Sequence, residues 1–518
     1  MTTLTCRLSR AALLAMTTGL GFVALPALAQ EVTLTIARGV DADGLDPYRV
    51  STTQSSQMTG LIYDTLVTLD ETGGVNPGLA TGHSLSDDNL TYSFTIREGV
   101  ACHDGAPFTA DDVVWSFTRA LAPETANPRR ANWGPIAEVS AEGNVVTVTL
   151  EEPFGPFLSY LGSYSTPMMC QGAIAEDGSY TPVGTGAFKL VDWVRNDRMT
   201  FVANDEYQNF NPLVQNPGRP HIDRLVVQVI PEAVARMAAL RSGEVDMAEP
   251  SLEEAASMQA DPAFNVYISD LSGQQVVAAF TWRREPFDNV EVRRALGMAM
   301  NRNAYADIAY EGLVNATTCP AAPGLVGIDL ELCAGWGVSY DPDGARAIME
   351  GLGYTTASPL EITLSVHALP GFDQMHQIMQ QDLREIGVNA EIESREVAAF
   401  FDHMRNENIA EGGRPILWTM GQSGVDSDYL TYLWRTPGFI NMGIGEPLDT
   451  ILTEQRGLSG EARVAKLQEA QQYLLENVYA VPLVSPGWNW LWASGAHITG
   501  FRTGFAAALY FNDVSLGD

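Results

Sequence analysis

The sequence predicts an α/β fold, and three observations predict it. Short stretches alternate apolar and polar residues at a period of two, as strands do. Stretches of helical periodicity follow recognisable helix starts, and no regular repeat or low-complexity tract interrupts the mixture over 518 residues. At about 150 residues per domain the length corresponds to roughly three packing units. Apolar residues make up 46% and charged residues 18%, enough to build a core and too apolar for a disordered chain.

Val32 to Ile36 alternates and reads as the first strand. The Asp41 to Pro47 turn follows, then a helix from Thr53 to about Leu66. Leu90 to Arg97 and Val145 to Leu150 are short strands bounded by Gly and Asp. Between them Thr109-Ala110-Asp111-Asp112 is a capping box, in which the threonine and the acid satisfy each other's orphan backbone donors. Val114, Phe117 and Leu121 fall on one face of the helix it starts. Leu225 to Ile230 is a strand preceding a helix at Ala233 to Ser242, and Val290 to Met300 and Asp341 to Leu352 are helices. Glu361 to Val366 is a strand leading to a helix at about Gln374 to Ile386, and Ser459 caps a long amphipathic helix ending near Asn477. No long Gly/Ser linker divides the chain, so its domains exchange the chain through short crossings.

Thirty Lys and Arg stand against 63 Asp and Glu, a formal charge of −33. That field repels phosphate backbones and anionic lipid heads, which argues against nucleic acid or electrostatic membrane attachment. An acidic surface with lysine only at Lys189 and Lys466 reads first as a solubility feature and second as attraction for a cationic ligand. Met1 to Ala29 has the layout of a secretory leader: Arg7 and Arg10, an apolar stretch to Leu25, then Ala27-Leu28-Ala29 for a signal peptidase. Cleavage before Gln30 removes two arginines and no acid, taking −33 to −35. No later stretch nears the roughly twenty apolar residues of a membrane span. Cys6 precedes the apolar run rather than following the cleavage point, so no lipid anchor is expected and release into a periplasm is. Four cysteines remain, and an even count in an oxidising compartment favours disulfides. Three connectivities are open; Cys319 with Cys333 closes a Pro/Gly-rich loop, leaving Cys102 with Cys170.

Residues 60 to 121, from "GLIYDTLVTLDETGG" to "FTADDVVWSFTRAL", resemble the signature region of the extracellular solute-binding proteins of family 5, the peptide/nickel group serving ABC importers. "PVGTGAFKL" from Pro182, "HIDRLVVQVIPEAVARMAALRSGEVDMA" from His221, "PFDNVEVRRALGMAMNR" from Pro286, "YDPDGARAIMEGLGY" from Tyr340 and "VPLVSP" from Val481 are similar to its pattern, in order. The resemblance implies a two-lobed binding protein of the large type II class with its ligand cleft between the lobes. It places the leader at 1–29, the main part of lobe I at 31–75, 182–272 and 485–518, an extra subdomain at 76–181, and lobe II at 273–484. It implies capture of oligopeptides or peptide-sized polar organic solutes by lobe closure, and delivery to ABC permease subunits with their ATPases. It implies no cofactor, no catalysis and a monomer.

The expected cleft lies near Trp282 at one lobe crossing, along Trp418-Thr419-Met420-Gly421-Gln422-Ser423, and at Trp488 on the return crossing. Flat indoles suit stacking on sugars or enclosing apolar groups, but each is as readily a core residue; in Trp488-Asn489-Trp490-Leu491-Trp492 a period of two puts three indoles on one face. Peptide-binding members hold a peptide amino terminus with an aspartate on the segment after this strand. The expected position is Ser423 or Val425, neither acidic, and Asp426 substitutes only if the loop is shifted by one residue. A buried ammonium without a carboxylate is costly, so a glycoside, an opine-like compound or another polar solute gains ground beside a free-amine peptide. Gln422 and Ser423 suit hydroxyl-rich ligands. Asp41-Ala42-Asp43-Gly44-Leu45-Asp46 lacks the distant Glu of a calcium loop and reads as a turn, with Asp43 a candidate cleft residue. The seven histidines show no tight metal spacing, although His367 and His376 have the chance to meet, and a nickel complex stays an alternative ligand. A secreted carboxylate hydrolase is the contrasting class, but no recognisable paired-carboxylate motif supports it.

Overall fold

Thr33–Arg38 is the strand around which the first lobe is built, and its alternation buries Leu34 and Ile36 completely. In this computed structural model the described residues are 31–269, 273–410, 412–440, 442–486, 491–505 and 508–517. The leader and Trp488 lie outside them. Among the described residues Thr33–Arg38 pairs in parallel with Arg224–Val229 on one side and Met247–Ala248 on the other. Arg198–Ala203 and Phe188–Val194 extend the first edge; Leu491–Gly495 and Phe264–Ile268 extend the second, giving a seven-stranded sheet. The chain leaves it after Phe264–Ile268 and returns to it at Leu491–Gly495.

Between those crossings lies a six-stranded sheet in the order Asn315–Ala316, Ala480–Ser485, Gln274–Phe280, Ile416–Ser423, Leu360–His367, Val388–Arg395. Leu360–His367 runs parallel to both of its neighbours. All seven residues of Gln274–Phe280 are buried, as expected for a central strand covered on both faces. Val276, Ala278 and Phe280 join the core under the helix Phe372–Glu385; Val277 and Ala279 join the core containing Trp418 and Trp434.

A four-stranded antiparallel sheet, Ala80–Leu85, Thr91–Ile96, Val145–Leu150 and Ile136–Glu142, lies in the chain between Thr33–Arg38 and Phe188–Val194. The helix Ala110–Leu121 packs on it. Its capping box is present: the Asp112 carboxylate accepts from the Thr109 backbone N–H at 2.8 Å and from its hydroxyl at 2.9 Å. The buried face is Val113, Phe117 and Ala120, with Val114 and Leu121 at its margin, one residue round from the face read from the sequence. The helix beginning at Thr53 stops at Ile62, because Tyr63 turns extended and its N–H closes back on the Thr59 carbonyl. Other elements keep their places within one or two residues: Arg224–Val229, Ala233–Ser242, Val290–Ala299, Pro342–Gly351, Leu360–His367, Phe372–Glu385 and Gly460–Glu476. Cys102–Cys170 and Cys319–Cys333 are the disulfides, one of the three connectivities. No helix among the described residues is long and apolar enough to cross a membrane.

Candidate functional site

In parallel sheets the carboxyl ends of adjacent strands leave a crevice where helices begin, and ligands bind there. Three such ends meet in the first lobe. Arg38 closes Thr33–Arg38 and lies in register with Val229, while Ala37 lies in register with Ala248. The chain continues from them into Gly39-Val40, Pro231, Ala233 and Arg236, and Glu249 to Glu253, which form one wall of a cavity of about 710 Å³. The facing wall belongs to the second lobe: Ala309, Glu311, and Leu369, Pro370, Gly371, Asp373 and Gln374 after the strand Leu360–His367. Leu491, the first described residue of the return crossing, also lines it.

The first wall is held by two arginines. Arg38 is fully buried and donates to the Gln54 carbonyl at 3.3 Å, to Gln57 Oε1 at 2.8 Å and to Glu249 Oε1 at 3.4 Å. Burial pulls its pKa down, opposed by the charges of Glu249 and Asp41. The other Glu249 oxygen accepts from the Gly39 N–H at 2.9 Å. Arg236 donates to the carbonyls of Ile230, Pro231 and Glu249, so its guanidinium shapes the wall rather than facing the cavity. A Cβ on Gly39 would sit 2.9 Å from that guanidinium; glycine is what lets the strand end approach it. The side chains of Glu253, Glu311 and Asp373 are exposed and make no hydrogen bond or ion pair with another described residue. Glu253 and Asp373 stand in the first turns of their helices, where their charge meets the positive ends of the helix dipoles.

None of the described side chains read from the sequence as ligand contacts lies on this wall. Trp418 is fully buried; its Nε1 donates to Asn408 Oδ1 at 3.0 Å, and Phe400 and His403 stand edge-on to its ring. It is a core residue because its face of Ile416–Ser423 packs inward onto the helix Val397–Glu407. Asp426 is fully buried too. Arg463 grips it in a two-pronged ion pair, and despite desolvation, which acts upward, the Arg463 charge and hydrogen bonds, joined by Ser159, keep its carboxyl below the usual range. That carboxylate is therefore engaged and not open to a solute ammonium. Asp428 beside it pairs with Arg456, and Gly155 donates to the Arg456 carbonyl at 2.6 Å, so this network ties the segment before Phe157–Leu161 to the chain before Gly460–Glu476.

Trp282 is half-buried, donating to the Met442 carbonyl at 3.0 Å with Arg283 over its ring. Asp43 is exposed in its turn; desolvation acts upward on its carboxyl, but hydrogen bonds from Ser55, Ser51 and Thr52 prevail and hold it below the usual range. Gln422 lies beside Gln275, whose Nε2 donates to Gln422 Oε1 at 3.4 Å and to the Tyr429 hydroxyl at 3.2 Å. The Gln422 Nε2 and Gln275 Oε1 have no partner among the described residues. Ser423 ends the strand, exposed and opposite Gln274. His367 and His376 do meet in the second lobe, both buried, with Phe372 against each ring. Among the described residues no group of three or more His, Cys, Asp or Glu is arranged to hold a metal ion.

Of the wall residues that sequence reasoning missed, Arg38 and Asp373 flank a strand and a helix it had located, whereas Glu249, Glu253 and Glu311 lie in or beside Met247–Ala248, Leu252–Gln259 and Tyr305–Ala309, which it had not read. The rule that ligands collect beyond the carboxyl ends of parallel strands was the signal that points to most of them.

Comparison with known proteins agrees with this architecture. The di/tripeptide-binding protein 2 of Pseudomonas aeruginosa is 27% identical over 96% of this chain and 97% of its own. The glutathione-binding protein GsiB of Salmonella paratyphi A is 29% identical over 76% of each chain. The structure of HbpA2 from Haemophilus parasuis superposes with a TM-score of 0.79 at 23% identity, covering 94% of this chain and all of that one. Residues 74–440 match the model of the bacterial extracellular solute-binding proteins, family 5 Middle, and with both lobes meeting at one strand-end cavity the chain belongs to that family of binding proteins.

Proposed function

We propose that the protein is the periplasmic, monomeric capture component of an ABC importer, taking di- or tripeptide-sized polar solutes into the interlobe cavity and handing them unaltered to a membrane permease. One observation carries the reading: both lobes supply walls to the same cavity, so a solute touching both walls binds the closed form better and shifts the open–closed equilibrium by that difference. The cavity, about 710 Å³, lies within the span of about 300–1,000 Å³ usual for small-molecule sites. The relatives named for di- and tripeptides and for glutathione support peptides over sugars, opines and nickel complexes.

The test is a thermal-shift panel of di- and tripeptides, glutathione, oligosaccharides, opines and nickel salts, followed by small-angle scattering with the best binder. A solute bound only by the native form raises the melting temperature, and closure shrinks the radius of gyration. A panel in which oligosaccharides or nickel bind and peptides do not would end the peptide reading. A binder that leaves the scattering curve unchanged would end the closure mechanism.

A further inference from the structure

The six-stranded sheet carries a cavity of its own. It lies where the edge strand Asn315–Ala316 pairs with Ala480–Ser485, has a volume of about 250 Å³ and shares no lining residue with the interlobe cavity. In a chain with 63 Asp and Glu, none of either is among its described lining residues. Arg302 supplies a cation. Its Nε donates to the Pro482 carbonyl at 2.8 Å and its Nη1 to the Val338 carbonyl at 2.9 Å, which fixes the guanidinium plane against the wall. Nη2 has no acceptor among the described residues, and in contrast to the sealed Nε of Arg38 it keeps accessible surface, since Arg302 is only half-buried. Burial pulls the pKa of Arg302 down, and the Tyr305 phenol rather than a carboxylate acts against it. The guanidinium therefore meets carbonyl dipoles but no counter-charge, an incomplete compensation for a partly desolvated ion. Two neutral donors stand open beside it. Asn301 Oδ1 accepts from the Ala304 N–H at 3.1 Å, leaving its Nδ2 without a partner among the described residues, and the exposed Ser339 hydroxyl has none either. The remaining wall is apolar, with Val338, Leu475 and Val478.

We propose that this cavity is a second binding site, for a small aliphatic carboxylate whose oxygens meet Arg302 Nη2 and the open donors of Asn301 and Ser339, and whose hydrocarbon lies against Val338, Leu475 and Val478. The site is separate from solute capture in the interlobe cavity and stands or falls without it. The chemistry of the lining selects the class. A neutral alkyl chain would cover the apolar wall but leave Nη2 unpaired, and a tetrahedral oxyanion would pair with Nη2 but leave the apolar wall facing water. A carboxylate with a short hydrocarbon tail answers both, and its bond to the guanidinium is charge-assisted. The negative charge of the chain repels anions at long range, but salt screens that field, whereas a contact pair in a half-enclosed cavity is screened much less. The same field penalises a dianion twice, which again favours a monocarboxylate.

The test compares butyrate, 1-butanol and sulfate by calorimetry on the full mature protein and on two variants, Arg302→Gln and Ser339→Asp. Butyrate is expected to bind about tenfold tighter than butanol, the difference that one charge-assisted hydrogen bond makes, and tighter than sulfate. Arg302→Gln is expected to bring butyrate down to the level of butanol. That variant also gives up the bonds to Pro482 and Val338, so its fold is at risk, and Ser339→Asp is the second arm. Ser339 is exposed and directly follows the residue whose carbonyl Arg302 holds, so an aspartate there supplies the missing carboxylate from within the chain. Ser339→Asp is expected to melt no lower than the parent without ligand and to weaken butyrate by about tenfold, because the guanidinium is then occupied. The panel of interlobe solutes is expected to read the same on Ser339→Asp as on the parent. No binding of butyrate, equal affinities for butyrate and butanol, tighter binding of sulfate, or a butyrate preference that survives Ser339→Asp in the folded protein would each overturn the site. None of those results bears on solute capture between the lobes.

Discussion

Trp418 and Gln422 stand on the same face of one strand, four residues apart, yet only the second keeps an open polar atom. The indole is sealed by Asn408, Phe400 and His403, so Trp418→Ala is expected to cost about 3–5 kcal/mol of folding stability, the usual result of emptying a large core site. Urea unfolding of the variant measures it, and a loss under about 1 kcal/mol would show that the site is not core. The period of two told which residues share the face. It did not tell that the face was covered by the helix Val397–Glu407, because burial depends on contacts far away in the chain. Asp426 was illegible for the same reason: its partner Arg463 lies 37 positions away on another helix, and a lone aspartate in a glycine-rich loop looks the same whether it awaits a ligand or is already paired.

At the scale of elements the sequence was far more readable, because caps and periodicity are local. Thr109 with Asp112 and the N-cap Asp341 act where they stand, and their helices begin there. Two of the three strand ends that build the cavity were also within reach; the two-residue strand Met247–Ala248 was not, and the parallel pairing of Thr33–Arg38 with strands about 190 and 210 residues further on is reported by no local pattern. The buried Asp426–Arg463 pair, beside the contact between Gly155 and Arg456, yields a prediction of its own. Asp426→Ala strands the guanidinium of the nearly buried Arg463, and removing one partner of such a pair is expected to cost about 3–5 kcal/mol. Asp426→Ala/Arg463→Met removes both charges and is expected to recover most of that loss, since an apolar replacement needs no partner. Chemical denaturation of the two variants decides it: a double variant less stable than the single would mean that the arginine contributes through contacts other than the pair, such as its hydrogen bond to Gln455.

For the molecule as a whole, buried ionisable groups set how stability answers to acid. Burial lowers His103 and His367 to about 4 and His376 to about 3, against about 6.5 for a free imidazole. Between those values the unfolded chain binds protons that the folded chain refuses, so their contribution is fully present above pH 6.5 and drains away as the pH falls toward 4. Asp64 acts in the opposite sense. Burial raises its carboxyl to about 6, against hydrogen bonds from Thr185 and Tyr207, so the folded state takes up its proton first and gains stability on acidification below 6. Burial also lowers His83 and His403 and raises the Asp382 carboxyl, so five histidines outweigh two aspartates, and the melting temperature is expected to fall from pH 7 to pH 5. Surface repulsion from the large negative charge works the other way, since it eases as carboxylates protonate; measuring in high salt screens it and leaves the buried groups in view. The decisive variant is His367→Phe. Both ring nitrogens of His367 lack partners among the described residues, and Phe372, Phe400 and Phe401 surround the ring, so a phenyl group fits the chemistry of the site. The facing titratable group is His376, held to Thr419 on the neighbouring strand, and Arg395 stands opposite His367 in the strand register. The variant is expected to melt higher than the parent at pH 7, by the relief of an unsatisfied buried donor, and to lose less on going to pH 5. A parent and variant with the same acid slope would show that His367 is not where the proton is refused.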